Sequence, residues 1–357
     1  ALAILDDDSL SHPRLEFVCT VCEEVGMEGA TGIDVSMLKG KKLLNMDSEE
    51  EGVMLASCAG GCRADVKLPV ERETVSGTKL TVSLSGLTGG HSGSEIDKGR
   101  GNANTLMSRL LRDASAPVAI ASIEGGRKDN AIPRECTAQI IVAPDEAVAV
   151  KASIEQAAAE IAEEFKTSDP DLKLAVSEET DCSESAISAK DSARVIALIE
   201  ALPNGIIRMS REIDKLVETS LNLGVLKSDD AAVTLRYAVR SSVGVAKKSL
   251  KNQLVCIAGA FAAEVTFEGD YPAWEYKKDS KLREDMVRIF EEMYGKKPTV
   301  EAIHAGVECG LLSGKIEGLD CISMGPDMYD IHTTEEKLSI SSAKRSYEYI
   351  LRVIACK

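Results

Sequence analysis

The chain has 357 residues, 44% of them hydrophobic and only 4% aromatic, which is enough for two domains with cores of Leu, Ile, Val, Ala and Met. A net charge of −16 argues against nucleic acid and anionic membrane surfaces as partners and suits a cytoplasmic protein. No apolar run of about 18 residues is present, so no membrane span is expected.

Residues 1–10, ALAILDDDSL, read as the end of a helix entering an acidic loop, without the pattern of a signal peptide. Residues 15–22, LEFVCTVC, read as a buried strand, followed by a Gly-rich loop. Asp34 reads as the cap of a short helix ending at Gly40. Short strands are expected over 41–48 and 52–61. This order of continuous apolar strands predicts a mostly parallel sheet covered on both faces.

From residue 62 the pattern changes to alternating apolar and polar residues, as in strands with one exposed face. Helices are expected over 102–114, 151–167, 191–202 and 247–264. Strands are expected over 62–73, 78–87, 117–126, 135–144, 172–179, 217–226 and 231–242. The α/β character then returns with helices over 281–295, 307–314 and 341–357 and strands over 298–305 and 319–326. The fold class is α/β, with a discontinuous catalytic domain (1–61 and 269–357) and an inserted α+β domain (62–268) built from two similar halves.

Ten cysteines, most inside apolar runs such as those of Cys256 and Cys321, read as free buried thiols of a reducing compartment. Cys19, Cys22, Cys58 and Cys62 offer a zinc-ribbon alternative. It is weakened because residues three apart on a strand point to opposite faces.

Glu23 and Glu24 end the first expected strand, where open α/β sheets bind ligands. One carboxylate there can hold a metal while the other acts as general base; a solvated acidic turn is the plain alternative. Asp47 lies at the carboxyl end of the next strand and His332 in the loop after the last one. Each also reads as ordinary turn or surface chemistry. Together these oxygen and nitrogen donors suit Zn²⁺, with Mn²⁺ or Co²⁺ possible. His91 sits between glycines, which let the backbone bring an imidazole close to a ligand or another chain. His304 ends a strand and fits either packing or support of the metal site. Arg240 can clamp a carboxylate or form a surface ion pair. Asn130, before Ile-Pro, can donate to an oxyanion or serve the turn.

The strings CTVCEEVGMEGA (19–30), LLNMDSEEEG (43–52), GLTGGHSGSEIDKGRGNAN (86–104), KDNAIPRE (128–135), ETSLNLGVL (218–226), YAVRSS (237–242), AIHAGVECGLL (302–312) and GPDMYDIHTTEEKLSI (325–340) resemble, in that order, the aminoacyl-histidine dipeptidases. These belong to a wider group of co-catalytic zinc peptidases that includes aminoacylases, carnosinases and tripeptidases. The resemblance covers essentially the whole chain. It implies a catalytic α/β domain, an inserted lid domain, two zinc ions and a homodimer formed through the lid. It makes Glu23 the general base, Glu24 and His332 ligands of one zinc and Asp47 a ligand of the other. His91, Asn130 and Arg240 become lid residues that hold the substrate carboxylate and the oxyanion. In relatives the His of the GGHSG turn can reach the partner's active site.

The family's H-x-D motif and the motif carrying its bridging Asp have no counterpart here; the only histidine before Glu23 is His12, followed by Pro-Arg. The expectation is that roughly a hundred residues, a typical fraction of a domain, precede the chain in an active protein. The implied activity is hydrolysis of small peptides, preferentially Xaa-His dipeptides, by a metal-bound hydroxide with a Glu base. An aminoacylase or tripeptidase is the enzymatic alternative. An inactive binding or dimerisation module is the alternative for the chain as it stands.

Overall fold

A computed structural model describes residues 2–23, 27–331 and 333–355. In chain order its elements are α1 (Leu2–Leu5), α2 (Glu28–Gly32), β1 (Lys42–Asn45), β2 (Val53–Cys58), β3 (Gly60–Pro69), β4 (Arg72–Ser85), β5 (Gly90–His91), α3 (Ala103–Arg112), β6 (Ala119–Gly125), β7 (Ala131–Ile132) and β8 (Cys136–Val142). There follow α4 (Ala147–Glu164), β9 (Lys173–Ile187), α5 (Ala189–Ala201), β10 (Gly205–Met209), β11 (Val217–Ser228), β12 (Ala232–Ser241), α6 (Gly244–Ala260) and β13 (Glu264–Tyr271). The chain closes with α7 (Lys281–Tyr294), β14 (Thr299–Ile303), α8 (Glu308–Lys315), β15 (Asp320–Ser323), β16 (Met328–Tyr329), β17 (Lys337–Leu338) and α9 (Ile340–Ala355). They form two compact units, one of residues 1–60, 211–216 and 271–357, the other of residues 61–210 and 217–270.

The first unit is built on a four-stranded sheet in the order β1-β15-β2-β14. β1 pairs parallel with β15 and β2 parallel with β14, but β15 meets β2 antiparallel, Ser323 opposite Leu55. Two of its three strand pairings are parallel, as expected, and the single antiparallel contact makes the sheet a mixed one. Residues 46–52 link β1 to β2, and so short a connection cannot make the crossover that parallel strands require. Met54, Ile322 and Met324 pack with Met286 and Phe290 of α7 and Tyr349 of α9, and the Phe290 and Tyr349 rings meet edge-on at 5.4 Å.

Two local expectations for this unit fail. Residues 15–22 form no strand, and Phe17 and Val21 are exposed. A strand exists only against a partner edge, and this run bonds elsewhere. The Glu16 carboxylate accepts the Lys39 and Gly40 amides, and the Val21 carbonyl accepts Gly29 N–H. Residues 34–40 form no helix, because the Asp34 carboxylate takes Ser36 N–H in a turn that competes with a helical start.

The second unit holds a sheet in the order β13-β3-β12-β11-β6-β8-β4-β9, with β10 paired to β11. Read outward from the central β6/β11 contact, β6-β8-β4-β9 mirrors β11-β12-β3-β13. The helices follow the same plan: α3 and α4 belong to one half, α5 and α6 to the other. The two halves are one β-α-β-β-α-β motif used twice, with the first strand of the second copy, β3, placed ahead of the first copy in the chain. Alternation in β4 buries Leu80, Val82 and Leu84 against the helices. The Asn102 side chain caps α3 by accepting Asn104 N–H, and Ser188 caps α5 by accepting Asp191 N–H. Helix α6 buries Ala246, Leu250, Leu254 and Ala258 along one stripe. Cys256 falls off that stripe and is exposed, contrary to the expectation of burial.

Candidate active site

The second unit gathers three of the expected site residues. β5 and β7 pair antiparallel with His91 opposite Ala131, and Ser92 N–H donates to the Asn130 carbonyl at 2.8 Å. Asn130 itself is exposed. Its turn is carried on β11 by Asn222, whose buried amide donates to the Asp129 and Ala131 carbonyls at 3.0 and 2.9 Å. Asn102 joins this network by donating to Asn222 Oδ1 at 3.0 Å. Gly224 sits at a bulge of β11, and a Cβ there would collide with the Asp129 backbone. Arg240 is half-buried near the end of β12, opposite Ser220 of β11. Burial, and then the Arg240 charge, hold the His91 imidazole below its usual protonation range. The β5/β7 pairing thus sets His91 beside the Asn130 backbone and within electrostatic reach of Arg240; imidazole, guanidinium and amide are donor types suited to an anionic oxygen.

In the first unit Glu23 is half-buried, and its carbonyl accepts Met27 N–H at 3.0 Å. Cys22 and Met27, on either side, both adopt left-handed backbone, with φ of 58° and 57°. Thr20 Oγ1 donates to Glu308 at the start of α8, at 2.6 Å. Asp47 is exposed just beyond β1, its N–H donating to Asn45 Oδ1. The segment after β15 is stitched beside this loop. Met324 N–H donates to Asn45 O, Met328 N–H to Glu49 O, and Glu51 N–H to Asp327 Oδ1. His304 is buried at the end of β14. Glu24 and His332 lie outside the described residues, and among the described residues no group of three or more His, Cys, Asp or Glu side chains forms a metal cluster. Cys19 and Cys22 are exposed whereas Cys58 and Cys62 are buried, which leaves the zinc-ribbon alternative without geometry.

Sequence reasoning passed over Glu95, Arg100 and Asn222. The Glu and Arg four and nine residues after His91, inside a Gly-rich loop, were the available signal. Asn222 reads as an ordinary polar strand residue.

Residues 82–169 match a family model described as a peptidase dimerisation domain. Over 346 residues the chain is 35% identical to the cytosol non-specific dipeptidase of Escherichia coli (strain K12), covering 96% of this chain and 71% of that protein. The chain belongs to the aminoacylhistidine dipeptidase family. The crystal structure of aminoacylhistidine dipeptidase from Vibrio alginolyticus superposes with a TM-score of 0.92 at 32% identity, covering 99% of this chain and 73% of that one. Membership makes the chain a peptidase of the dipeptidase type, with an α/β unit and a dimerisation-type unit.

Proposed function

We propose that this chain is a metal-dependent dipeptidase that prefers Xaa-His dipeptides, and that it works in the cytoplasm as a homodimer formed through the second unit. The observation that carries the reading is that His91 lies on a strand paired beside the Asn130 turn and within electrostatic reach of Arg240 on β12. Arg240 takes the free C-terminal carboxylate of the substrate, which limits substrate length. His91 and Asn130 donate to the carbonyl oxygen as it gains charge. Glu23 takes the proton of the attacking water and returns it to the leaving amine.

Glu24, Asp47 and His332 are the proposed metal ligands, a donor set that suits Zn²⁺, with Mn²⁺ or Co²⁺ as alternatives. Of these only Asp47 is among the described residues, and they assemble no metal cluster by themselves, so the steps above rest on the protein's own groups. A bound metal would supply a Lewis acid that lowers the pKa of water. The matched dimerisation model supports the homodimer. Among the described residues no helix is long and apolar enough to cross a membrane.

The test is a substrate panel on the full-length protein: Xaa-His dipeptides, other dipeptides, tripeptides and N-acyl amino acids, before and after chelation. Dipeptides should be cleaved best, with activity lost to the chelator and restored by Zn²⁺. Undiminished turnover after exhaustive metal removal, or a preference for N-acyl amino acids, would overturn the proposal. Glu23→Gln should lower kcat by about 10²–10⁴-fold, the usual contribution of a general base.

A further inference from the structure

The loop that presents His91 also fixes where the imidazole keeps its proton. His91 Nδ1 lies 3.2 Å from the amide nitrogen of Gly93 and 3.1 Å from that of Ser94. A backbone amide only donates, so Nδ1 accepts and carries no hydrogen. The neutral ring therefore holds its proton on Nε2. Ser94 Oγ, also 3.1 Å from Nδ1, then acts as a third donor.

The backbone around the ring is braced by an ion pair. His91 N–H donates to Glu95 Oε2 at 2.8 Å, and Arg100 donates to Glu95 Oε1 at 2.9 Å and to the Gly89 carbonyl at 2.5 Å. Gly90 has φ +139°, and a Cβ there would run into the Arg100 guanidinium and the Glu95 carboxylate. Only glycine lets the chain lie this close to the brace.

We propose that Glu95 and Arg100 are positioning residues that lock His91 as its Nε2–H tautomer, a standing neutral hydrogen-bond donor for a carbonyl or carboxylate oxygen. The choice of acceptor rests on the dipeptidase reading; the tautomer does not. A proton added at Nδ1 would point at two amide hydrogens, so charging the ring is opposed by geometry. Burial and the Arg240 charge oppose it further, and the Glu95 carboxylate works in the other direction. With Nδ1 engaged and Nε2 protonated, neither nitrogen has a lone pair available for a metal or for proton abstraction.

The experiment is nitrogen NMR on full-length protein labelled with ¹⁵N-histidine, with the His91 signals identified by their loss in His91→Gln. Wild type should show an unprotonated Nδ1 and a protonated Nε2, and the ring should stay neutral below the ordinary histidine pKa of about 6.5. Glu95→Ala and Arg100→Ala should each make the second tautomer visible. Glu95→Gln, which keeps an acceptor for His91 N–H, should preserve most of the lock. The other histidine signals report whether each variant is folded. A protonated Nδ1 in wild type would overturn the tautomer, and an unchanged His91 spectrum in folded Glu95→Ala would overturn the positioning role. If the lock is found but His91→Gln keeps full peptidase activity, the dipeptidase role of His91 fails while the lock stands.

Discussion

Arg240 and Asn222 act on the proposed substrate site at different removes, and their variants should separate. A charged hydrogen bond contributes about 1.5–3 kcal/mol. Arg240→Ala should therefore raise KM for free dipeptides by about tenfold to a hundredfold, and should scarcely change it for C-terminally amidated ones. Equal effects on the two substrates would show that Arg240 does not hold the carboxylate. Asn222 touches no substrate in this scheme. Its amide fixes the Asp129 and Ala131 carbonyls on either side of Asn130, so Asn222→Leu leaves both without that donor, and takes one of two acceptors from the Asn102 amide, in a buried setting. The expected cost is about 2 kcal/mol of stability, read as a lower Tm, together with weaker dipeptide binding. An unchanged Tm would mean that the Asn130 turn is held by other contacts.

At the level of elements, two junctions decide how the loops sit. Gly126 and Gly224 let the 126–130 segment lie against the β11 bulge; the Gly126 Cβ position is filled by the Gly224 carbonyl, and that of Gly224 by Asp129. Gly224→Ala should destabilise by about 1–3 kcal/mol, the usual cost of overpacking, and a variant as stable as wild type would show that the bulge can relax. In the first unit, Arg345 of α9 grips Glu51 with bonds of 2.6 and 2.5 Å, tying the helix to the loop before β2. The Arg345 guanidinium holds the Glu51 carboxyl below its usual range. A carboxylate depressed in the folded state stabilises it above the ordinary range and ceases to do so as pH falls through the folded value. Glu51→Gln should thus lower Tm at neutral pH, with the two curves converging below about pH 4, the ordinary Glu range; a gap that persists there would point to packing instead. Most elements were legible in the sequence: α3, α5, α7 and α9 show a helical period with caps, and β4 and β8 alternate. What escaped was made by neighbours. The run 15–22 has strand composition but no pairing edge among the described strands, and β13 was hidden by the Gly269 and Pro272 that follow its alternation. His91, Asn130 and Arg240 stood out by their glycine and strand-end settings. Glu95, Arg100 and Asn222 gain their roles only through contacts that the fold creates.

For the whole molecule, the dimer reading makes a sharp demand. If His91 acts on the partner's substrate, mixing His91→Ala with Glu23→Ala subunits should restore part of the activity, because one site in each heterodimer would be intact. Verified heterodimers with no recovery would place His91 in its own subunit's site. The repeated motif of the second unit has a further outcome, in the time domain. β3 lies between β12 and β13, yet it leaves the ribosome before the entire first copy, with residues 70–231 between it and β12. Bringing together ends that far apart costs about 2 kcal/mol more than closing a ten-residue hairpin, at roughly 0.6 kcal/mol per doubling of length. The first copy, β4 to β9, is contiguous and can assemble as it emerges. The second must wait for a strand made long before it, so its closure is the slow, non-local step of folding. Pulse-labelling hydrogen exchange during refolding should find β6 and β8 amides protected before those of β3. Until β3 is seated, β12 and β13 expose unpaired edges, and it is in that interval that a nascent chain is most open to pairing with the wrong strand.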